Sequence, residues 1–524
     1  MKPPHTAPVT GPPTPTDDTL KPQRSPGLGR PLGYVGATGL FLALVVFASS
    51  APRGTDQFWY LGDTLTLLAN EPRLTNSVFP GPIVRGELTL DQTYFTHHTG
   101  VMYMVLPFAR AFGAYHGWIV FNTVSVVLTA ALIAAALRRL TNSTLAALGY
   151  AAFLLLPLTV WQTANLLQEA ALGLLTAVFV VLYTLAPRRP SCWLLLFAWC
   201  IVAILCHPIY LPVAVASPAL FLWHHRRRLT WRHLSTATVV LAAVIVIQAM
   251  KSTWFPSTFQ PSLRSILLGV IPAEGNMEWH FRAELPALTP RFLATKVTDA
   301  LARQLGLSRS AVFYWPANVM MAASFVLCMN PRRHKPDVAR LAFATAAFTG
   351  LFTLMVCWHQ NQPRYLLILT PAILITATVF AHTSFIGSAR PATGRILPAA
   401  ILVAFLATDW TLAHRLRHEG LAATLTTTEI RDKTADRPPE DRVVIEGRVP
   451  GELPLLSFAL RPRKCLVLLD GSMSPETTQR LLDSFQPNLA ICRPSSSLRT
   501  ILGSTWSDLG WPHDYRGFRA YQRR

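Results

Sequence analysis

Long apolar blocks recur along this 524-residue chain, separated by short segments that carry most of its charge. A block of about 18 or more apolar residues with few charges is long enough to cross a bilayer as a helix. The blocks lie at approximately residues 32–50, 116–137, 143–160, 164–186, 192–206, 208–224, 234–250, 313–330, 339–357, 363–383 and 396–411. The sequence therefore predicts a polytopic α-helical membrane protein with about eleven transmembrane helices.

The formal net charge of +20 resides mainly in short basic connections between these blocks. Cytoplasmic loops of membrane proteins are enriched in Lys and Arg, so this pattern indicates membrane topology and argues against nucleic-acid binding. With a cytoplasmic N-terminus, the basic connections near residues 138–139, 188–189, 224–232, 332–340 and 390–395 all fall inside. We interpret residues 192–223 as two short helices, because one kinked helix would place Arg226–Arg228 outside.

The remaining segments are assigned by composition. Residues 1–31 form a Pro/Thr-rich tail without a cleavable signal, predicted to be disordered and cytoplasmic. Residues 412–524 predict a small external α/β domain, with strands at 442–446, 464–470 and 489–492 and a helix at 475–485 capped by Ser474. The chain's seven cysteines show no metal-binding spacing. Cys465 and Cys492 can pair if this region faces an oxidising compartment, although buried free thiols are the simpler interpretation.

Two long loops are predicted on the external face, at residues 51–115 and 251–311. Long ordered loops are uncommon and usually functional, so we expect the first loop to form the floor of an active site. Its apolar spacing predicts a helix on the membrane surface near residues 58–68 and a second helix over 101–112. The second loop predicts a mobile lid that ends in an amphipathic helix over 292–305.

Three candidate catalytic or binding side chains are predicted to meet at the external face. Asp56 follows the first span and is a candidate general base, and Glu169 is an ionisable residue at the end of the fourth span. Arg364, beside Tyr365, is a candidate ligand for a phosphate. Each has a simpler interpretation: Asp56 as a helix cap, Glu169 as a structural ion pair and Arg364 as a headgroup anchor.

Further polar side chains in the first loop are candidates for acceptor binding or an accessory role. These are Asp63, His97 and His98. The two histidines are also possible metal ligands, although solvated or hydrogen-bonded loop histidines are more common.

Three motifs in this order resemble those of GT-C glycosyltransferases, notably bacterial relatives of the protein O-mannosyltransferases and the lipid A aminoarabinose transferase. The motifs are residues 54–60 (Gly-Thr-Asp-Gln-Phe-Trp-Tyr), 94–100 (Tyr-Phe-Thr-His-His-Thr-Gly) with 108–113, and 362–365 (Gln-Pro-Arg-Tyr). The resemblance covers residues 32–411 and implies a polyprenyl-phosphate sugar donor, a catalytic Asp56 and a second acidic residue at Glu169.

The chain also departs from the family pattern. The common Asp-Glu pair is Asp56-Gln57 here, and His97 and His98 replace a usual basic residue. We expect no cofactor, with a divalent cation as the open alternative. The expected partners are the lipid-linked donor, membrane lipids and a glycan, lipid or protein acceptor. Two other function classes stay open: a flippase for a lipid-linked substrate, and a non-catalytic assembly protein.

Overall fold

The computed structural model describes most of the helical part of the chain and its C-terminal sheet. It covers residues 29–49, 52, 55–68, 83–85, 88–90, 99–186, 189, 191–254, 289–291, 294–295, 297–298, 302, 315–329, 336–359, 365–385, 393–447, 453–460, 463–469, 474–513 and 515–524. The predicted tail, most of the 251–311 loop and the helix expected at 292–305 lie largely outside these residues.

Helices occupy every predicted membrane block. They are α1 (Gly29–Ala48), α2 (Thr55–Leu68), α3 (Thr99–Phe112), α4 (Ala114–Leu140), α5 (Ser143–Leu154), α6 (Pro157–Ala164), α7 (Glu169–Leu185), α8 (Ser191–Cys206), α9 (Leu211–His225), α10 (Trp231–Trp254), α11 (Trp315–Met329), α12 (Pro336–His359), α13 (Leu366–Phe385) and α14 (Thr393–Thr434). The third block is broken into α5 and α6, which meet at 46°. Pro157 opens α6, where its missing N–H is tolerated.

The described helices include several that are suited to a bilayer. α4, α10 and α13 each contain a stretch long and apolar enough to cross one, and the bent α5–α6 pair passes the same test when taken together. Shorter apolar helices lie within α1, α3, α7 and α8. The chain is thus a multi-pass membrane protein, and the number of eleven crossings stays a prediction.

Helices α8 and α9 form an antiparallel pair. Cys200 Sγ lies 3.2 Å from Ser217 Oγ, and the Trp193 ring packs edge-on against Phe221 with centroids 5.2 Å apart. The chain reverses at His207, whose Nδ1 accepts a hydrogen bond from the Ile209 N–H. The prediction of two helices, not one kinked helix, is confirmed.

One end of the bundle carries a group of basic residues. At one end, Arg139 at the close of α4 pairs with Asp337 over 3.6 Å, and the Trp223 ring stacks on Phe343 at 4.6 Å. The basic turn Arg226–Arg228 follows α9 at this end. The other end of α4 lies about 40 Å away, by the rise of 1.5 Å per residue, and contacts α2.

A seven-stranded sheet caps that second end. Its strands are β1 (Ile83–Arg85), β2 (Leu88–Leu90), β3 (Arg442–Gly447), β4 (Lys464–Leu469), β5 (Leu489–Cys492), β6 (Trp506–Asp508) and β7 (Arg519–Arg523), in the order β2-β1-β4-β3-β5-β7-β6. β3 pairs in parallel with β4 and β5, with Val443 opposite both Cys465 and Leu489. The predicted strands and their parallel pairing are confirmed.

Three short helices accompany the sheet: α15 (Leu453–Ala459), α16 (Pro475–Phe485) and α17 (Ser497–Leu502). α16 has the predicted bounds, and its Ser474 cap accepts from the Thr477 N–H at 3.2 Å. The sheet also contains strands that the sequence did not predict. β1 and β2 come from the first loop, and β1 pairs in parallel with β4. The first loop and the C-terminal region therefore share one sheet.

The two C-terminal cysteines are both free, so the disulfide considered for them is excluded. Cys465 on β4 packs with Val443 and Val467 on one face of the sheet. Cys492 on β5 packs with Val444 and Ala490 on the other face. β3 lies between their strands, so the two thiols are held apart by about two strand spacings of 4.8 Å and point in opposite directions.

Helix α14 joins the bundle to the sheet without interruption. It runs for 42 residues, through the domain boundary predicted between residues 411 and 412. At the junction, Phe58 of α2 packs against Phe458 of α15 with ring centroids 5.3 Å apart. Tyr60 and Leu61 of α2 are also buried. The helix predicted near residues 58–68 is confirmed, and its position on the membrane surface stays a prediction.

Candidate active site

The candidate base lies at the start of α2. Asp56 is the second residue of this helix, directly beside the residue that anchors it. The side chain of Asp56 lies outside the described residues. His97, His98 and Arg364 lie outside them entirely. The structure therefore locates these four residues through the elements on either side of them.

Helix α2 is fixed to the turn before α7 by a buried amide pair. Gln57 Nε2 donates to Asn165 Oδ1 over 2.6 Å, and Asn165 Nδ2 donates to the Trp161 carbonyl over 2.6 Å. Amide groups buried in a bilayer-spanning protein need such partners, because an unsatisfied group costs several kcal/mol there. This pair sets the start of α2 against the chain that leads to Glu169.

The turn between α6 and α7 is conformationally unusual. Leu166 has φ = 56°, although the residue is buried and is not glycine. Left-handed backbone costs a residue with a Cβ about 1–2 kcal/mol, so neighbouring contacts must hold it. The Leu167 carbonyl accepts from Asn122 Nδ2 at 3.1 Å, and the Leu167 N–H donates to the Gln162 carbonyl at 3.2 Å. The resulting sharp turn brings Asn165 and Glu169 to the same end of the bundle.

Glu169 is the first residue of α7 and is completely buried. The positive end of the helix dipole stabilises a carboxylate at this position by about 0.3–2 kcal/mol. The favourable interaction with the helix dipole is thus a structural reason for an acid at this position. Its position beside the α2 anchor is equally suited to an accessory role at a site built around Asp56.

Tyr365 lies at the same end as Glu169. It directly precedes α13, and the start of α13 packs closely on the start of α7, where a Cβ at Gly173 would lie 3.5 Å from the Leu367 carbonyl oxygen. Tyr365 also packs edge-on against His207 with centroids 6.3 Å apart. Arg364 directly precedes Tyr365 in sequence and lies outside the described residues.

Helix α3, which directly follows the histidine motif in sequence, begins in the same region. Thr99 begins α3 directly after His97 and His98, and Gly100 follows. A Cβ at Gly100 would lie 2.3 Å from the Leu205 carbonyl oxygen near the end of α8. Only glycine permits this backbone contact, which seats the start of α3 beside the chain reversal at His207.

Asp63 occupies a different position. It is buried two turns along α2 from Asp56. The next residue, Thr64, donates its hydroxyl to the Tyr60 carbonyl and accepts from Trp118 Nε1 at 2.8 Å. Asp63 is therefore not exposed to solvent, and an accessory role for it stays a prediction.

Contacts thus connect the starts of α2, α3, α7 and α13 at one end of the bundle. The sequence analysis did not predict the contacts of Gln57, Asn165 and Asn122 that make these connections. It also missed Asp409, a fully buried carboxylate in α14 without a hydrogen-bond partner among the described residues. An ionisable residue within an apolar span was the available signal for Asp409.

No group of three or more His, Cys, Asp or Glu side chains that could hold a metal ion forms within the described residues. This result does not cover the side chains of Asp56, His97 and His98, which lie outside the described residues. The expectation of a metal-independent site accordingly stays a prediction.

Comparison by sequence finds no matching protein family and no matching curated protein. Comparison by structure finds similar folds. ArnT from Cupriavidus metallidurans bound to undecaprenyl phosphate has a TM-score of 0.59 and 14% identity, over 95% of this chain and 98% of that one. The same protein in the apo state has a TM-score of 0.56 and 14% identity, over 94% and 98% of the two chains.

A third similar structure is the apo form of the Archaeoglobus fulgidus oligosaccharyltransferase. Its TM-score is 0.53 at 12% identity, over 88% of this chain and 69% of that one. These proteins are GT-C glycosyltransferases. Because the similarity extends along nearly the whole chain, it confirms the fold that the three sequence motifs implied: this membrane protein has the GT-C fold.

Proposed function

We propose that this protein is an integral-membrane glycosyltransferase that moves a sugar from a polyprenyl phosphate to an acceptor on the external face. The observation that carries the proposal is the contact network that draws the starts of α2, α7 and α13 together at one end of a GT-C fold. Asp56 and Glu169 belong to the starts of α2 and α7, and Arg364 and Tyr365 directly precede α13 in sequence. The undecaprenyl phosphate bound to the similar ArnT structure supports the donor class.

The proposed reaction is a single displacement. Asp56 takes the proton of an acceptor hydroxyl as its oxygen attacks the anomeric carbon of the sugar. The bond from that carbon to the phosphate oxygen breaks, and polyprenyl phosphate leaves with the electron pair. Attack opposite the leaving group inverts the anomeric configuration.

The other site residues support this displacement. Arg364 holds the departing phosphate through its planar fork of donors, and Tyr365 flanks it. Glu169 orients the acceptor or supports the site from the start of α7. No step requires a cofactor, because the guanidinium carries the charge compensation for the phosphate.

The proposed orientation follows from the charge of the two bundle ends. The end with Arg139 and Arg226–Arg228 faces the cytoplasm, as Lys- and Arg-rich loops do. The site and the seven-stranded sheet then face the external, periplasmic side. Transfer on this side is consistent with a donor that is carried by a lipid and not by a soluble nucleotide.

The test is transfer by purified protein from radiolabelled polyprenyl-phosphate sugars to a membrane extract. Asp56→Asn should lower the rate by about 10²- to 10⁴-fold, the usual contribution of a general base. Asp436→Asn in the turn after α14, an exposed acid remote from the site, is the matched control and should keep the wild-type rate. An unchanged rate in Asp56→Asn rejects the base. Absence of transfer by folded wild-type protein from every donor rejects the proposed function.

A further inference from the structure

A cavity of about 530 Å³ opens on the face of the seven-stranded sheet that carries α16 and α17. Its walls come from α16, from the end of α17 and the turn after it, and from the edge strands β6 and β7. Pockets for small molecules measure about 300–1,000 Å³. This cavity is therefore large enough for a sugar unit or a short saccharide.

The sheet separates this cavity from the transmembrane bundle. Leu482 and Trp506, which line the cavity, pack with Val444 on one face of the sheet. Phe58 of α2 packs with Val443 on the opposite face, since neighbouring residues of a strand point to opposite sides. None of the residues that line the cavity belongs to the candidate active site. The cavity is therefore a second, separate concave surface on the C-terminal part of the chain.

The floor of the cavity is apolar. Leu482, Leu502 and Trp506 are buried and belong to one apolar cluster, and Ile501 packs against it. Sites for small molecules commonly combine such a floor with a few polar groups that fix the orientation of the ligand. An apolar floor is suited to the C–H face of a sugar ring.

The rim carries an acid and an arginine that do not pair with each other. Asp483 Oδ1 accepts from Gln479 Nε2 over 2.8 Å, and Arg523 Nη1 donates to Gln486 Oε1 over 3.2 Å. Gln486 Nε2 also donates to the Asp483 carbonyl over 2.6 Å, so this one amide connects the end of α16 to Arg523. No salt bridge among the described residues uses either charge. The carboxylate and the guanidinium thus keep acceptors and donors for a ligand at nearby positions.

The mixture of groups on the rim favours an uncharged, hydroxyl-rich ligand. An anion would meet Asp483, and a cation would meet Arg523 and the neighbouring Arg524. A hydroxyl both donates and accepts hydrogen bonds, so two adjacent hydroxyls can donate to the carboxylate and accept from the guanidinium. Ser504 and Thr505 add hydroxyls to the wall, and Thr505 is positioned by its bond to the Leu502 carbonyl at 3.0 Å.

We propose that this cavity is a saccharide-binding site that takes an uncharged sugar unit through a pair of adjacent hydroxyls. Binding here does not require catalysis. Its role deepens the proposed function and rests on it: the site holds a sugar unit that does not react, within a larger glycan acceptor. The acceptor is then a glycan and not a simple lipid or a protein.

The first experiment measures binding directly. Full-length protein in lipid nanodiscs, which lack the sugar headgroups of many detergents, is titrated with the methyl α-glycosides of glucose, galactose and mannose and followed by saturation-transfer NMR. At least one glycoside should bind, and tetrahydropyran-2-methanol, a ring of the same size without adjacent hydroxyls, should not. Loss of a hydrogen bond to a charged group weakens binding by about tenfold or more, so Asp483→Asn and Arg523→Gln should each do so.

Arg480→Gln is the matched control, because Arg480 is an exposed arginine of α16 outside the cavity. It should bind the glycoside as wild type does. Absence of binding by all three glycosides, equal binding of tetrahydropyran-2-methanol, or unchanged binding in both Asp483→Asn and Arg523→Gln overturns the saccharide site.

The second experiment tests the role in transfer. Arg523→Gln should need several times more membrane extract for half-maximal rate, with the same maximal rate and the same dependence on donor. Excess glycoside should have this effect on wild type and not on Arg523→Gln. Glycoside binding with an unchanged dependence on extract rejects the glycan-holding role. Binding without any transfer leaves the saccharide site standing and rejects the proposed function, whereas transfer without binding does the reverse.

Discussion

Gln57 donates its side-chain amide to Asn165 across 2.6 Å, and so ties the helix that begins beside Asp56 to the turn before Glu169. The resemblance to GT-C glycosyltransferases implies a glutamate after the aspartate, whereas this chain carries a glutamine. The contact explains the difference, because Asn165 already uses its own N–H₂ group on the Trp161 carbonyl and presents an oxygen to residue 57. Only a donor satisfies that oxygen.

Gln57→Glu should therefore impair the protein, although it restores the common family residue. A buried carboxylate facing an amide oxygen loses the hydrogen bond and costs about 1–3 kcal/mol or more. We expect transfer to fall about tenfold and the thermal midpoint in detergent to drop. Gln57→Glu combined with Asn165→Asp should not recover activity, since it places two acids together. Full activity of Gln57→Glu would show that the amide pair does not position Asp56.

Gly100→Ala should separate α3 from α8. The added methyl would meet the Leu205 carbonyl oxygen at 2.3 Å, and the backbone on both sides must move. We expect loss of most transfer activity, because His97 and His98 immediately precede this contact. Gly39→Ala is the control, since nothing lies within 4 Å of a Cβ there. In a helix that change should be neutral or stabilising by about 1 kcal/mol. Equal behaviour of the two variants would contradict the close-contact explanation.

Val84→Pro should detach the first-loop hairpin from the sheet. Val84 lies opposite Leu468 in the parallel pairing of β1 with β4, and proline cannot donate to such a ladder. We expect faster protease cleavage between residues 69 and 98 and reduced transfer. Val84→Thr keeps the N–H and the branched side chain, so it should resemble wild type. If the proline variant resists proteolysis as wild type does, the hairpin is held by something other than the sheet.

The sheet region should lose stability at high pH. Burial raises the pKa of both Cys465 and Cys492 to about 12, whereas an exposed thiol ionises near 8.5. Below about pH 8.5 both folded and unfolded thiols are neutral, and the full stability is present. As the pH rises towards 12, only the unfolded thiols ionise, which favours unfolding.

Urea titrations of the full-length protein, followed by protease cleavage within residues 442–524, measure this effect. The midpoint should fall as the pH increases from 8.5. A Cys465→Ala, Cys492→Ala double variant should show a shallower dependence, whatever its stability at pH 7. An identical slope in wild type and double variant would reject the thiols as its cause.

Removal of divalent cations should leave transfer unchanged. The proposed mechanism assigns the charge of the donor phosphate to Arg364 and proton transfer to Asp56, so no metal step is needed. Rates measured with excess EDTA, and then with added Mg²⁺ or Mn²⁺, test this prediction. Loss of activity in EDTA that a single cation restores would instead assign metal ligands to the first loop, where His97 and His98 are the first to replace.

The sequence predicted the helices well because the bilayer sets their length and composition. It also placed Glu169 and Tyr365 at one end of the bundle, and the side of the membrane on which that end lies stays a prediction. The sequence did not predict the hairpin β1–β2, because strands of three residues carry little periodicity. Their partner β4 is also nearly 400 residues away in sequence. The pairing of Gln57 with Asn165 depended in the same way on contacts between distant segments.

The change of composition near residue 411 was interpreted as the end of a helix. It marks where the helix leaves its apolar surroundings, since α14 continues to Thr434 as a polar helix. A switch from apolar to polar residues reports a change of solvent, and it does not report a change of secondary structure. Capping residues would have been the better signal for the end of this helix.

Because α14 is continuous, any chimaera of this protein must keep the rotational register of this helix. Successive residues of an α-helix are rotated by about 100°, so one residue inserted between the bundle and the sheet would turn the sheet by more than a quarter revolution. Phe458 would then move away from Phe58, and the packing of α15 on α2 would be lost. Sheets from related proteins are therefore exchangeable only when the joint preserves the residue count along this helix.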